Sequence, residues 1–215
     1  MKKRTLIALF SLIIILLSAF GVIAQKYISK EYKDFFSAAS DVNKESDKKN
    51  VVAIIGDKKI YQENIDMVKA TEALSSKNEQ EYAQKHGLAI PKKEERTDED
   101  ILKELIRDNV IYQQAKKEGL LPDYDETYAL AEQNYRVTME LNNETTEFIK
   151  KYMEELGMSE KEYIEQSTEA NIFLIAKNNL YQSFLSKKNG TDAELKEMFE
   201  KYVDELTEKT AIEYK

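Results

Sequence analysis

Hydrophobic positions are arranged in two regimes along this chain. The first is a single unbroken run that begins at Leu6 and ends at Ala24, 19 residues without a charge. As a helix it would span about 28 Å, close to the roughly 30 Å of a bilayer's hydrocarbon core. The second regime starts after residue 50. There, apolar residues recur three and four positions apart between charged ones, the period of amphipathic helices packed against one another.

Lys2, Lys3 and Arg4 precede the apolar run and no acid does, the charge bias that keeps a short tail in the cytoplasm. Two readings follow. An uncleaved membrane anchor is favoured, because the run is longer than the apolar part of an ordinary export signal. The other is a secretory signal cleaved after Ala24, since Val22-Ile23-Ala24 resembles a small-residue cleavage site. Both place the body outside the cytoplasm. Residues 25–50 become polar and rich in Lys, Asp and Ser, which reads as a helical stem continuing the anchor and then a linker, so the globular body is expected to begin near Val51.

Val51-Val52-Ala53-Ile54-Ile55 is a β-branched run broken by Gly56-Asp57 and followed by Lys59-Ile60-Tyr61, the pattern of a strand, a tight turn and a strand stub. Helices are predicted near 62–86, 98–118, 123–142, 145–156, 160–188 and 192–207, with an exposed loop over 87–97. Gly87, Gly119, Gly157 and Gly190 read as helix stops, and Ser159/Glu162, Thr191/Glu194 and Asp123/Glu126 as N-terminal caps. At the far end only Thr210-Ala211-Ile212-Glu213-Tyr214 alternates in the β manner. Val51 to Ile55 is too apolar to lie in solvent, and its backbone groups need partners. The C-terminal segment is therefore expected to pair with it, preferably antiparallel, closing the helical module into one domain.

Within the helices, Ile101, Leu102, Leu105, Ile106, Ile111 and Ala115 form one clean stripe, and residues 172–185 are apolar almost all round, as a central buried helix would be. The 123–142 segment carries two stripes. Tyr124, Tyr128, Ala131, Tyr135 and Met139 share one face; Leu130, Val137 and Leu141 share another, about 140° away. One stripe can be core. The Tyr/Met stripe can serve as a surface for apolar segments of another chain, since Tyr and Met make adaptable contacts. Two neighbouring helices could instead bury both.

Composition narrows the chemistry. There is no cysteine, so disulfides, thiolate metal sites and a cysteine nucleophile are excluded, and the one histidine, His86, sits at a predicted helix end. No glycine-rich phosphate loop is present, and the paired acids, such as Glu94/Glu95 and Glu154/Glu155, read as solvated helix faces. Beyond residue 24 the chain holds 29 basic and 40 acidic residues, a net of −11. A body so acidic repels phosphate backbones and is not expected to bind nucleic acid. No enzyme activity, cofactor or metal is expected.

The order VVAIIGDKKIYQENID, then DEDILKELIRDNVIYQQAKKEGLLPD, then TDAELKEMFEKY resembles the N-terminal chaperone module of SurA/PrsA-type extracytoplasmic foldases. Val52 to Ile60 correspond to the family's opening strand. Leu102, Leu105, Ile106, Val110, Ala115 and Gly119 correspond to its following helix, and Thr191-Asp192-Ala193-Glu194-Leu195 to a later helix opening. The resemblance covers about residues 50–215. Full members carry a parvulin prolyl-isomerase domain near where this sequence stops, with histidines this chain lacks, and some are anchored through a lipidated cysteine, also lacking here.

The expected protein is thus mainly α, a helical chaperone-like module over 51–215 whose ends are joined by a two- or three-stranded β element, preceded by a stem and a transmembrane helix. Its expected function is binding unfolded or exported polypeptides, without isomerase activity, through Tyr124, Tyr128, Tyr135 and Met139. The alternative is an envelope scaffold that binds one defined protein partner.

Overall fold

The computed structural model describes residues 30–43, 50–56, 58–89 and 96–215. Among these, seven helices and three strands follow in the order α1 (Lys30–Asn43), β1 (Val51–Ile55), β2 (Lys58–Tyr61), α2 (Gln62–His86), α3 (Asp98–Lys117), α4 (Tyr124–Leu141), α5 (Glu144–Leu156), α6 (Glu160–Leu185), α7 (Asp192–Lys209) and β3 (Ile212–Tyr214). The fold is mainly helical with one small sheet. The 6–24 run lies outside the described residues, as does 90–95 of the expected loop. Among the described residues, no helix is long and apolar enough to cross a membrane.

Local chemistry explains the helix boundaries. Ser159 and Thr191 each accept a hydrogen bond from the backbone N–H three residues on, and Glu162 and Glu194 reach back to close both capping boxes. Asp123 caps α4 through the Glu126 N–H. Thr97 with Asp100 and Asn143 with Thr146 add two further boxes. At the other ends, Gly87 and Gly157 take the left-handed conformation that lets the chain turn out of α2 and α5. Gly190 departs from expectation. Helix α6 ends at Leu185 in a right-handed turn through Ser186, and Gly190 instead precedes the cap of α7.

The sheet has the order β2-β1-β3 and both pairings are antiparallel. Ala53 faces Tyr214, Ile54 faces Glu213 and Ile55 faces Ile212, so the C-terminal segment closes the domain as expected. The Lys215 N–H extends the ladder to the Val52 carbonyl at 3.1 Å. The inner face of the sheet, Ala53, Ile55 and Ile60, packs with Ile65 on Ile101, Leu105, Ile106 and Val110 of α3.

A second core lies where α3, α6 and α7 meet, built from Ile111, Ala115, Ala176, Leu180 and Val203. Arg107 clamps α7 through Glu200 and through Asp204 at 2.9 Å, and Lys177 of α6 pairs with Asp108 of α3. Helix α6 is central, packing against α3, α4 and α7. Its residues Ile172, Leu174 and Ile175 are half-buried, so it is less enclosed than its composition suggests.

The third core corrects the expectation of a stem over 25–50. Residues 30–43 are a helix, but one packed into the body. Tyr32, Phe35, Phe36, Ala39 and Val42 are all buried, against Met67 and Leu74 of α2 and Phe148, Ile149 and Tyr152 of α5. Phe35 has no exposed surface and its ring lies 5.5–6.3 Å from those of Phe36, Phe148 and Tyr152. The folded body therefore includes Lys30, not only residues from Val51.

Candidate binding surface

Helix α4 carries both sequence stripes and lies against α6 and α5. Its inner face is set by Thr127 and Ala131, both buried. These small side chains let the helix approach α6 closely, and they share a face with Tyr124, Tyr128, Tyr135 and Met139.

The four expected client-binding residues divide accordingly. Tyr135 and Met139 pack against the aromatic core. The Tyr135 ring lies 5.5 Å from that of Tyr163, which is itself 6.3 Å from Tyr152 in an edge-on arrangement. Burial raises the pKa of the Tyr135 phenol, and the nearby Glu160 carboxylate adds to the shift. Burial pushes the Tyr163 phenol up to about 12, against the opposing effect of its hydrogen bond with Ser167. Tyr163 is withdrawn from water, and Tyr135 is half-buried. Tyr128 is half-buried, and Tyr124 stacks on it with centroids 6.3 Å apart at the exposed start of the helix. The Tyr/Met stripe therefore turns partly inward, with Tyr135 and Met139 half-buried against the core and Tyr124 exposed.

The second stripe faces outward. Leu130, Val137 and Leu141 are 49 %, 51 % and 62 % exposed. They stand at i, i+7 and i+11, so they line up along about 16 Å of the helix. Half of the large apolar side chains that are prominently exposed among the described residues belong to α4, when Tyr124 is counted with them. Gln133, Asn134, Arg136 and Glu140 lie exposed between and beside them, giving an apolar strip with a polar border.

A groove of about 470 Å³ lies elsewhere, between the sheet and the start of α3. Val52, Ile65, Leu102 and Ile106 form its floor, and Lys103 and Tyr214 stand at its edge. None of the four expected residues lines it.

His86 is exposed at the end of α2, its ring 4.3 Å from that of Tyr82, as a helix-terminal surface histidine would be. Among the described residues, no group of three or more acidic or histidine side chains is arranged to hold a metal ion. The arrangement on α4 offers apolar contact area bordered by polar and charged side chains.

Comparison with protein-family models, with curated proteins and with solved structures finds no match to this chain.

Proposed function

We propose that this protein is a membrane-anchored, chaperone-like binder of unfolded or exported polypeptides on the outer side of the membrane, acting without covalent chemistry. The observation that carries this reading is the outward stripe of Leu130, Val137 and Leu141 on a helix whose other apolar face is already used by the core. Exposed apolar side chains aligned on one helix face can serve as an interaction surface.

The magnitudes suit a holding function. A half-exposed Leu or Val that becomes fully covered contributes about 1 kcal/mol, and three such side chains about 3 kcal/mol. That is enough for weak capture and fast release, and far short of a tight stoichiometric complex. Lack of directional groups in the strip favours tolerance of many sequences, because specificity requires features that penalise wrong partners. The acidic body, with its net of −11 beyond residue 24, keeps a loaded complex soluble. The resemblance to the SurA/PrsA-type N-terminal module, over 50–215, agrees with this reading, as does the apolar run before Lys30.

Suppression of aggregation of several unrelated denatured proteins tests it. Partial protection of many clients, growing with concentration well above the micromolar range, is the expected result. Protection of none, with tight binding to a single envelope protein, would select the scaffold alternative.

A further inference from the structure

Two contacts fix how α1 lies on α2. The Lys77 ammonium sits 3.7 Å from Glu31 Oε2, and the Tyr32 hydroxyl donates to Asn78 Oδ1 at 3.4 Å. The start of α1 is thus level with residue 77. The Asn50 carbonyl accepts from the Gln62 N–H at 2.9 Å, at the start of α2. The seven residue steps from Asn43 to Asn50 span at most about 25 Å. A parallel α1 would leave its end about 40 Å from Gln62, so α1 runs antiparallel to α2.

Helix α2 therefore projects beyond α1. From Lys77 to His86 it extends about 13 Å past the point where α1 begins. The acids of the projecting segment, Glu79 and Glu81, stop short of its last turn, and residues 82–89 (YAQKHGLA) hold Lys85 and His86 and no acid. Tyr82 and Leu88 there are 50 % and 57 % exposed.

The apolar run ends at Ala24, and five residues, 25–29, join it to Lys30; these too include a lysine and no acid. That connection reaches at most about 20 Å extended, or about 9 Å as helix. The projecting tip, about 13 Å, falls inside this interval. Because the aromatic residues of α1 are locked in the core, the body has no long stalk on which to swing.

We propose that the tip of α2 docks on the bilayer, with Tyr82 and Leu88 in the interfacial layer and Lys85 among lipid phosphates, so that anchor and tip hold the body at two points in one orientation. Tyrosine, with an apolar ring and a polar end, suits that layer, and a basic, acid-free end suits an anionic lipid surface. The proposal rests on the anchored reading of residues 6–24.

The chain has no tryptophan, so Leu88→Trp and Tyr82→Trp each provide a single reporter at an exposed position. The full chain is reconstituted into vesicles of phosphatidylcholine with one-third phosphatidylglycerol, with or without brominated acyl chains. Tyr214→Trp serves as the reference, since Tyr214 shares a groove with Gln62 and Ile65 at the opposite end of α2. The expected result is flotation of all three variants, with bromine quenching at least half of the emission at positions 82 and 88 and little at 214. Flotation with equal or no quenching at the three positions would overturn the docking while leaving the anchor in place. Failure to float would overturn the anchored reading, and the docking with it.

Discussion

The Tyr32 hydroxyl bonds the side-chain oxygen of Asn78 at 3.4 Å, joining residues 46 apart and tying α1 to α2. Between them and α5 lies a core of closely packed aromatic rings, so α1 is a structural part of the body. Phe35→Ala in the full chain is expected to cost about 3–5 kcal/mol, as for other buried aromatic truncations. Denaturant unfolding measures this directly. A loss below about 0.5 kcal/mol, the scale of an exposed substitution, would mean that residues 30–43 are a solvated stem.

The sheet joins the two ends of the domain. Ending the chain after Glu208 removes β3 and unpairs one edge of β1, whose Ala53 and Ile55 are buried. The melting temperature of the whole body is expected to fall by 5 °C or more, since about 1 kcal/mol shifts Tm by roughly 2–4 °C at this size. An unchanged Tm would show that the pairing contributes nothing.

Tyr163 sets an alkaline limit. Its folded pKa, raised by burial to about 12 from 10.0, means that the folded state keeps the proton while the unfolded state releases it. Stability is therefore lost as pH rises from about 10 to about 12, by roughly 2–3 kcal/mol from this group. Tyr163→Phe lacks that contribution. Its stability relative to the parent should be constant up to pH 10 and improve steadily above it. A constant difference from pH 9 to 12 would contradict the assignment.

Despite the resemblance to a family with isomerase-bearing members, the 215-residue chain is expected to leave proline-peptide isomerisation at its uncatalysed rate. His86, the single histidine, is exposed, with its ring tilted against that of Tyr82. Protease-coupled isomerisation with the purified chain checks this. Catalysis that a point substitution abolishes would contradict it.

Much of the fold was legible because it is written in local chemistry. The caps at Asp123, Ser159 and Thr191 and the stop at Gly87 mark helix ends through single hydrogen bonds and one backbone conformation. The pairing of β1 with β3 followed from the need to satisfy an apolar strand. The place of α1 was missed because the Lys, Asp and Ser residues of 25–50 outweigh, on average, an apolar stripe at Tyr32, Phe35, Phe36, Ala39 and Val42 with good helical spacing. On α4, the two stripes have similar period and hydrophobicity, so period alone could not say which is inward. The informative signal was side-chain size. Thr127 and Ala131 lie in the Tyr/Met stripe, and small residues mark the face where another helix comes close. The groove beside β3 was not legible, because it depends on elements brought together from both ends of the chain.

The client surface is tested most directly by comparing two sets of substitutions on α4 for aggregation suppression and thermal stability together. Leu130→Ser, Val137→Ser and Leu141→Ser combined alter only exposed side chains. At least a tenfold higher concentration should then be needed for equal suppression, consistent with losing about 3 kcal/mol of contact, while Tm stays within about 3 °C of the parent. Tyr135→Ser with Met139→Ser alters side chains packed on the core, so Tm should fall clearly. Full suppression by the triple variant, with loss of suppression by the double variant at unchanged Tm, would show that clients bind the Tyr/Met stripe and not the outward one.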